Sequence, residues 1–271
     1  MSEDLRLYES ATPTPDALKP LWHVGKGRML FVGCLHRNAL HSHSVTVMLA
    51  GLYDNIRLRI DGGRWSRCRA AVIRAGTGYE FHAGGQPIAV IYSEPGQPSA
   101  EGLAALVRQT REESGAIVGM QCDVGSLRTL YEDSDSSRWV DDVMADVITF
   151  SKRKAQRSID ARIQRAVALV ENEASDGIDY SGRSNSVVLA ARAAHLSTSR
   201  FQHLFKEEVG VSYRRYAAWA RMRVAVSEVV KGNNFTTAAH AAGFYDQPHF
   251  AREFRRIFGA PAGRSLANVR R

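Results

Sequence analysis

The sequence predicts an α+β chain of more than one domain, in which a small antiparallel β-barrel or sandwich with helices after it precedes an all-α domain. Three observations carry this. Residues 28–94 read as short strands broken by glycine pairs, the apolar period turns helical beyond Pro98, and two C-terminal segments repeat each other at an offset of 49 residues. With 271 residues and 44% hydrophobic content the chain can bury one or two sizeable cores, and its length favours two.

The expected strands are Arg28 to Leu35, Val45 to Leu49, Ile56 to Ile60, Ala70 to Arg74 and Ile88 to Tyr92. Ile56-Arg57-Leu58-Arg59-Ile60 alternates strictly, the period of a strand with one buried and one wet face. Glycines at 62–63, at 76 and 78, and at 84–85 punctuate the run. Leu103, Leu106 and Val107, then Val140, Val143, Met144, Val147 and Ile148, follow helical spacing as narrow apolar stripes that could cover the barrel or pair with a second subunit. Ser151 to Arg157 is basic and almost free of apolar residues, which divides the chain into residues 1–150, a basic linker over 151–158, and residues 159–271. The linker reads either as solvated or as a phosphate contact.

Charge separates the two halves. Residues 159–271 hold 17 Lys/Arg against 10 Asp/Glu, and residues 1–158 hold 19 against 18, so the C-terminal part carries +7 of the formal +8. A basic domain on a nearly neutral one suits a polyanionic partner for one half and another task for the other. The longest apolar runs, such as Ala70 to Ile73 and Ile88 to Tyr92, fall far short of the roughly 20 residues that cross a bilayer, so no membrane insertion is expected. Cys34, Cys68 and Cys122 are odd in number and widely spaced, which suits neither a disulfide framework nor a zinc knuckle and fits a reducing cytoplasm.

The repeat matches in residue type as well as spacing. Ser197, Phe201, Phe205, Lys206 and Gly210 correspond to Asp246, Phe250, Phe254, Arg255 and Gly259. Ser197 and Asp246 are N-caps, the Phe pairs lie four apart on one helix face, and Gly210 and Gly259 stand where a left-handed residue stops a helix. Ala-rich segments, Val188 to Ala194 and Ala238 to Ala242, precede each capped helix and let two helices cross closely, which makes each repeat a helix-turn-helix unit. Gly243 fills the second turn and His195 the first. Between the units, Ser212 caps a long segment from Tyr213 to Lys231, about 28 Å as a helix, against ~34 Å between successive major grooves on one face of DNA.

The stretch from Ala239 to Pro261, with Gly243-Phe244, Phe250, Arg252, Phe254, Gly259 and Pro261, resembles the signature of the AraC/XylS family of transcription regulators. Leu196 to Lys206 resembles that family's first recognition helix, and Asp160 to Glu173 the opening helix of its seven-helix domain, so the resemblance covers about 110 residues. The departures are His195 for the usual turn glycine, Pro248 where a small polar residue is common, and Gly263-Arg264 for a common Tyr-Arg. The resemblance implies that Ser199, Gln202 and His203 in the first unit, and Gln247, His249 and Arg252 in the second, read bases. These are suitable types, since Gln pairs with adenine and Arg with guanine in the major groove. Arg200, Lys206, Arg255 and Arg256 are the expected phosphate contacts.

The N-terminal part resembles the cupin-like sensor barrel that the family often carries: His41-Ser-His43 and Ala75 to His82 are similar to the two cupin motifs. His41, His43 and His82 are therefore candidates for an effector pocket. Three histidines could also hold a metal, but Val45 to Leu49 lack the glutamate such a site expects, so neither a metal nor another cofactor is expected. No phosphate loop, nucleophile elbow or cysteine cluster is present, which argues against an enzyme. The expected partners are double-stranded promoter DNA, RNA polymerase, a small-molecule effector and a second copy of the chain. Two rival readings stay open: a metal-dependent cupin enzyme with an appended DNA-binding domain, and a DNA-packaging protein without sequence preference.

Overall fold

The computed structural model describes residues 18–97, 100–154, 159–175 and 185–270. Eleven strands are described: β1 (Leu21–Gly25), β2 (Arg28–Cys34), β3 (Arg37–His41), β4 (Thr46–Gly51), β5 (Ile56–Ile60), β6 (Ser66–Cys68), β7 (Ala70–Ile73), β8 (Tyr79–His82), β9 (Pro87–Ser93), β10 (Val107–Glu113) and β11 (Ala116–Cys122). They form two antiparallel sheets, one of seven strands in the order β1-β2-β9-β4-β7-β11-β10 and one of four in the order β3-β8-β5-β6. The five strands expected from the sequence are β2, β4, β5, β7 and β9. Apart from β5, which is the middle of the small sheet together with β8, these form the hydrogen-bonded centre of the large one.

The large sheet is buried on both faces. Met29, Phe31, Val47, Leu49, Val90 and Tyr92 point inward to the small sheet and the C-terminal helices. Leu30, Val32, Met48, Ala50, Ala89 and Ile91 point outward into a second core. That outer face is covered by α1 (Ala100–Ala104), α2 (Gly125–Glu132) and α3 (Val140–Lys154). Val140 and Met144 are buried there and Val143 and Val147 pack against it, so the stripe of α3 is used on the chain's own sheet; the side chain of Ile148 lies outside the described residues. The first stripe is corrected. Leu103 lies near the end of the five-residue α1, whereas Val107 begins β10, an edge strand whose next five side chains are exposed. β10 and β11 meet at Ser114-Gly115, both with positive φ (41° and 86°), the conformation of a tight two-residue hairpin turn. A polar edge strand has no alternation to read, which is why the sequence pattern missed it. The basic stretch is partly helical: α3 runs to Lys154, and residues 155–158 lie outside the described residues.

The C-terminal helices are α4 (Ala161–Ser175), α5 (Asn185–Ala193), α6 (Thr198–Val209), α7 (Tyr213–Val230), α8 (Phe235–Ala241), α9 (Gln247–Phe258) and α10 (Ala262–Ser265). Their core is continuous with that of the barrel. Tyr92 of β9 lies against Trp219 of α7 (5.5 Å between ring centres), and Trp22 of β1 meets Phe258 of α9 edge-on at 5.9 Å while its indole N–H donates to the Ser265 carbonyl (2.7 Å). Arg270, near the end of the chain, reaches back to the barrel half, donating to the carbonyls of Leu130, Tyr131 and Asp133 and to Ser136 Oγ.

Glu94 is the buried carboxyl at this junction. It accepts from the Trp219 indole (2.8 Å) and lies 3.1 Å from Arg223 Nε, both on α7. Burial pushes it up to about 7 against its ordinary 4.5; the Arg223 charge opposes this and the nearby Glu171 of α4 adds to it. A carboxyl that binds its proton more tightly when folded makes the folded state less stable as pH rises between those two values. Glu94→Gln is therefore expected to flatten that loss. The check is urea unfolding of parent and variant at about pH 5 and about pH 8, compared as a difference so that other titrating groups cancel. An identical pH dependence in both would contradict the assignment.

Candidate nucleic-acid interface

The first helix-turn-helix unit is α5, a turn and α6. Ala190, Ala191 and Ala194 are fully buried, so α5 and α6 approach without intervening bulk. His195 takes a left-handed conformation (φ 55°), as expected for the turn position that glycine usually fills. Ser197 caps α6 by accepting from the Arg200 N–H (3.3 Å), and Phe201 and Phe205 are buried side by side against Tyr213. Ser199, Gln202, His203 and Lys206 stand on the opposite, exposed side of α6, with Arg200 exposed beside them.

The second unit repeats the arrangement. Gly243 turns with φ 70°, and Asp246 caps α9 by accepting from the His249 N–H (2.7 Å). Phe250, Phe254 and Phe258 form a stack on the inner side of α9, and Arg252, two residues from both Phe250 and Phe254, faces outward. Pro248 sits in the first turn, where its missing N–H leaves no hydrogen bond unmade. Gln247, Arg252, Arg255 and Arg256 are exposed. Gln247 Oε1 accepts from the Thr236 hydroxyl (3.1 Å), Arg256 pairs with Glu253 (2.6 Å), and His249 is half-buried with its ring edge-on to Phe244 at 5.4 Å. The structure thus brings the exposed residues of each unit onto one surface, with His249 held back among the packed rings. The 18-residue α7, about 27 Å long, links the units; Ser212 caps it at one end and Gly232 (φ 106°) follows the other.

Both second helices end against the barrel. A Cβ at Gly210, after α6, would stand 3.0 Å from the Ala75 carbonyl oxygen. After α9, Asn38 Nδ2 donates to the Phe258 carbonyl (2.7 Å) and the Ala39 N–H to the Gly259 carbonyl (3.0 Å). The carbonyls that a helix leaves unpaired are here satisfied by strand β3. Asn38 was not among the sequence candidates, and no local pattern marks it: its partner is 220 residues away.

His41 and His43 lie at this junction. His41 Nδ1 is 2.6 Å from the Ala39 carbonyl, and His43 shares a 3.0 Å hydrogen bond with the Tyr79 hydroxyl inside a cage of Tyr92, Trp219 and Phe258 rings. Burial pulls His41 down to about 4 and His43 well below its ordinary value, the latter reinforced by the charges of His41 and Arg215. His82 does not join them. The pleat places it with Glu80 on the solvent side of the small sheet, while Tyr79 and Phe81 point inward. Among the described residues no group of three or more His, Cys, Asp and Glu could hold a metal. An open cleft of about 970 Å³ lies elsewhere on the domain junction, lined among others by Lys19, Ser134, Asn234, Phe235 and Arg270 and by none of the three histidines.

Gly259 carries two demands at once, a left-handed φ of 66° and a neighbourhood in which an added Cβ would meet Ala39 O and His41 Nδ1 at 2.5 Å. Gly259→Ala is expected to cost about 2 kcal/mol or more in urea unfolding. Gly263→Ala, where nothing lies within 4 Å, serves as the control. Equal midpoints for the two variants would contradict a docked helix end.

A sequence-family model described as a helix-turn-helix domain matches residues 190–267. The chain is similar to the HTH-type transcriptional activator RhaS of Pectobacterium atrosepticum, 27% identical over 97 residues, which is 35% of this chain and 32% of that relative. The matched stretch therefore spans about a third of the curated relative. Among solved structures, the fold is similar to ToxT of Vibrio cholerae with an unsaturated fatty acid bound (TM-score 0.56, 11% identity, 91% of this chain and 97% of that one). A second structure of ToxT from Vibrio cholerae gives a TM-score of 0.54 at 11% identity, over 89% and 98% of the two chains. At these identities the likeness establishes the fold: a β-rich N-terminal part followed by a helical C-terminal domain.

Proposed function

Residues 190–267 form a helix-turn-helix domain with the AraC-type arrangement of two units on one long helix, and on that premise we propose that the chain is a sequence-specific DNA-binding transcription regulator. The observation that carries the reading is the pair of capped helices, α6 and α9, that present exposed polar and basic side chains from a basic domain. Ser199, Gln202, His203, Gln247 and Arg252 read bases, with His249 contributing from its half-buried place. Arg200, Lys206, Arg255 and Arg256 hold phosphates, Arg256 while sharing its charge with Glu253. A helix of about 27 Å sets the units near the spacing of successive major grooves.

Control comes through the barrel. Because β3 holds the end of α9 and the loop at Ala75-Gly76 meets the end of α6, an effector that shifts the barrel alters how the two units stand to each other. His41 and His43 transmit that shift, being wedged between barrel and helices, and the cleft near Lys19 and Phe235 is the place for the effector. ToxT binds an unsaturated fatty acid, and by that likeness a small organic carboxylic acid is the class of effector to test first. Promoter DNA, RNA polymerase and a second copy of the chain are the partners of this reading, its place is the cytoplasm, and it assigns no catalysis. Among the described residues no helix is long and apolar enough to cross a membrane.

The test is a binding selection of the purified chain on random duplex DNA. Enrichment of two short sequence blocks about one helical turn apart is expected. Arg252→Ala should then weaken binding to the enriched site by about 1–3 kcal/mol and relax preference at one position. Equal retention of all sequences would overturn the regulator reading in favour of a packaging protein.

A further inference from the structure

The solvent face of the small sheet carries three arginines and a histidine in strand register. Arg37 of β3 pairs with His82 of β8, His82 with Arg57 of β5, and Arg57 with Arg67 of β6. Residues directly opposite in antiparallel strands point to the same side, so the four stand shoulder to shoulder, and all four are exposed. Across four strands the row is about 14 Å long. Like charges directly opposite one another destabilise a sheet, as Arg57 and Arg67 do here. Two acidic side chains face the same side. Glu80 is buried beneath Arg37 and Arg59, and Asp61 at the end of β5 accepts from the Gly78 N–H. Arg57 and Arg67 have no carboxylate partner among the described residues; Arg57 instead lies over the Trp65 ring (5.3 Å), which Arg59 shares (5.1 Å).

The position of the row matters as much as its charge. Arg37 directly precedes Asn38 and Ala39, which hold the last carbonyls of α9. The row therefore begins one residue from the strand positions that seat the end of α9, a helix whose exposed side carries Arg252, Arg255 and Arg256. We propose that the outer face of the small sheet is a phosphate-binding surface for the DNA flanking the helix-turn-helix units, with Arg37, Arg57 and Arg67 as its cations. The inference rests on the DNA-binding reading above. Charge complementarity and continuity with α9 select the occupant: a polyanion already held by α9 meets this face next. A 14 Å row spans the rise of about four phosphates of one strand. Arg guanidinium groups suit the task because they fork onto phosphate oxygens without losing their charge.

The experiment is a fluorescence-anisotropy titration of a random-sequence duplex of about 40 base pairs with the full chain, repeated over a range of salt. Removing one cation that neutralises a phosphate should reduce the slope of log affinity against log salt by about 0.9. Replacing Arg37, Arg57 and Arg67 together by Gln should therefore lower the slope by about 2 to 3 and weaken binding at least tenfold at low salt. A second variant, Arg57→Gln with Arg67→Gln, leaves the Glu80 ion pairs intact and should lower the slope by about 2, so a fold defect at Arg37 cannot mimic the result. An unchanged slope in both variants overturns the proposal and leaves the regulator reading in place; so does weaker binding with an unchanged slope, which would mean that the face affects affinity without neutralising phosphates. If the parent chain itself fails to bind the duplex, the DNA-binding reading falls and this one with it.

Discussion

The helix α9 ends on the edge strand of the barrel, and the remaining architecture follows from that seat. A helix leaves its last carbonyls unpaired, and at the end of α9 those of Phe258 and Gly259 are taken by Asn38 and Ala39. Such a close approach requires a residue without a side chain, and Gly259 supplies it while also turning the chain out of the helix. Once α9 is seated, Phe258 falls into the ring cage around His43, Trp219 is brought under Tyr92, and the Arg270 tail can wrap back to the carbonyls around α2. None of these interactions is worth much alone in water. Together they remove a set of polar atoms and rings from solvent at one place, where every unpaired partner would be costly.

The helical half was legible because its determinants are local. Ser197 and Asp246 cap within three residues, Gly210 and Gly259 stop within one, and the Phe pairs repeat at four. Even the unusual turn at His195 could be anticipated from its place in the repeat. The barrel half was legible only where a strand is buried on both faces or alternates cleanly, as in β9 and β5. Edge strands β3 and β10 are mostly polar or exposed and carry no period.

The histidines illustrate a second limit. The resemblance to the cupin motifs suggested that His41, His43 and His82 could meet, but strand pairing and pleat decide which side each takes, and these are set by partners far along the chain. For the same reason the groups that join the domains left no sequence signal. Asn38, Glu94 and Arg270 act on partners more than 100 residues away, and each is an ordinary polar residue in its own neighbourhood.

The interior makes the two halves thermodynamic partners. Barrel residues such as Val47, Tyr79 and Tyr92 and helical residues such as Phe201, Trp219 and Phe258 belong to one apolar core, with the buried Glu94 bridging to α7. On the proposed reading, a change in the barrel would reach α6 and α9 through these packed side chains. The central claim is that barrel and helical domain form one cooperative unit, and differential scanning calorimetry of the full chain tests it most directly. A single transition whose van't Hoff and calorimetric enthalpies agree is expected. Two resolved transitions, one for each half, would contradict the account.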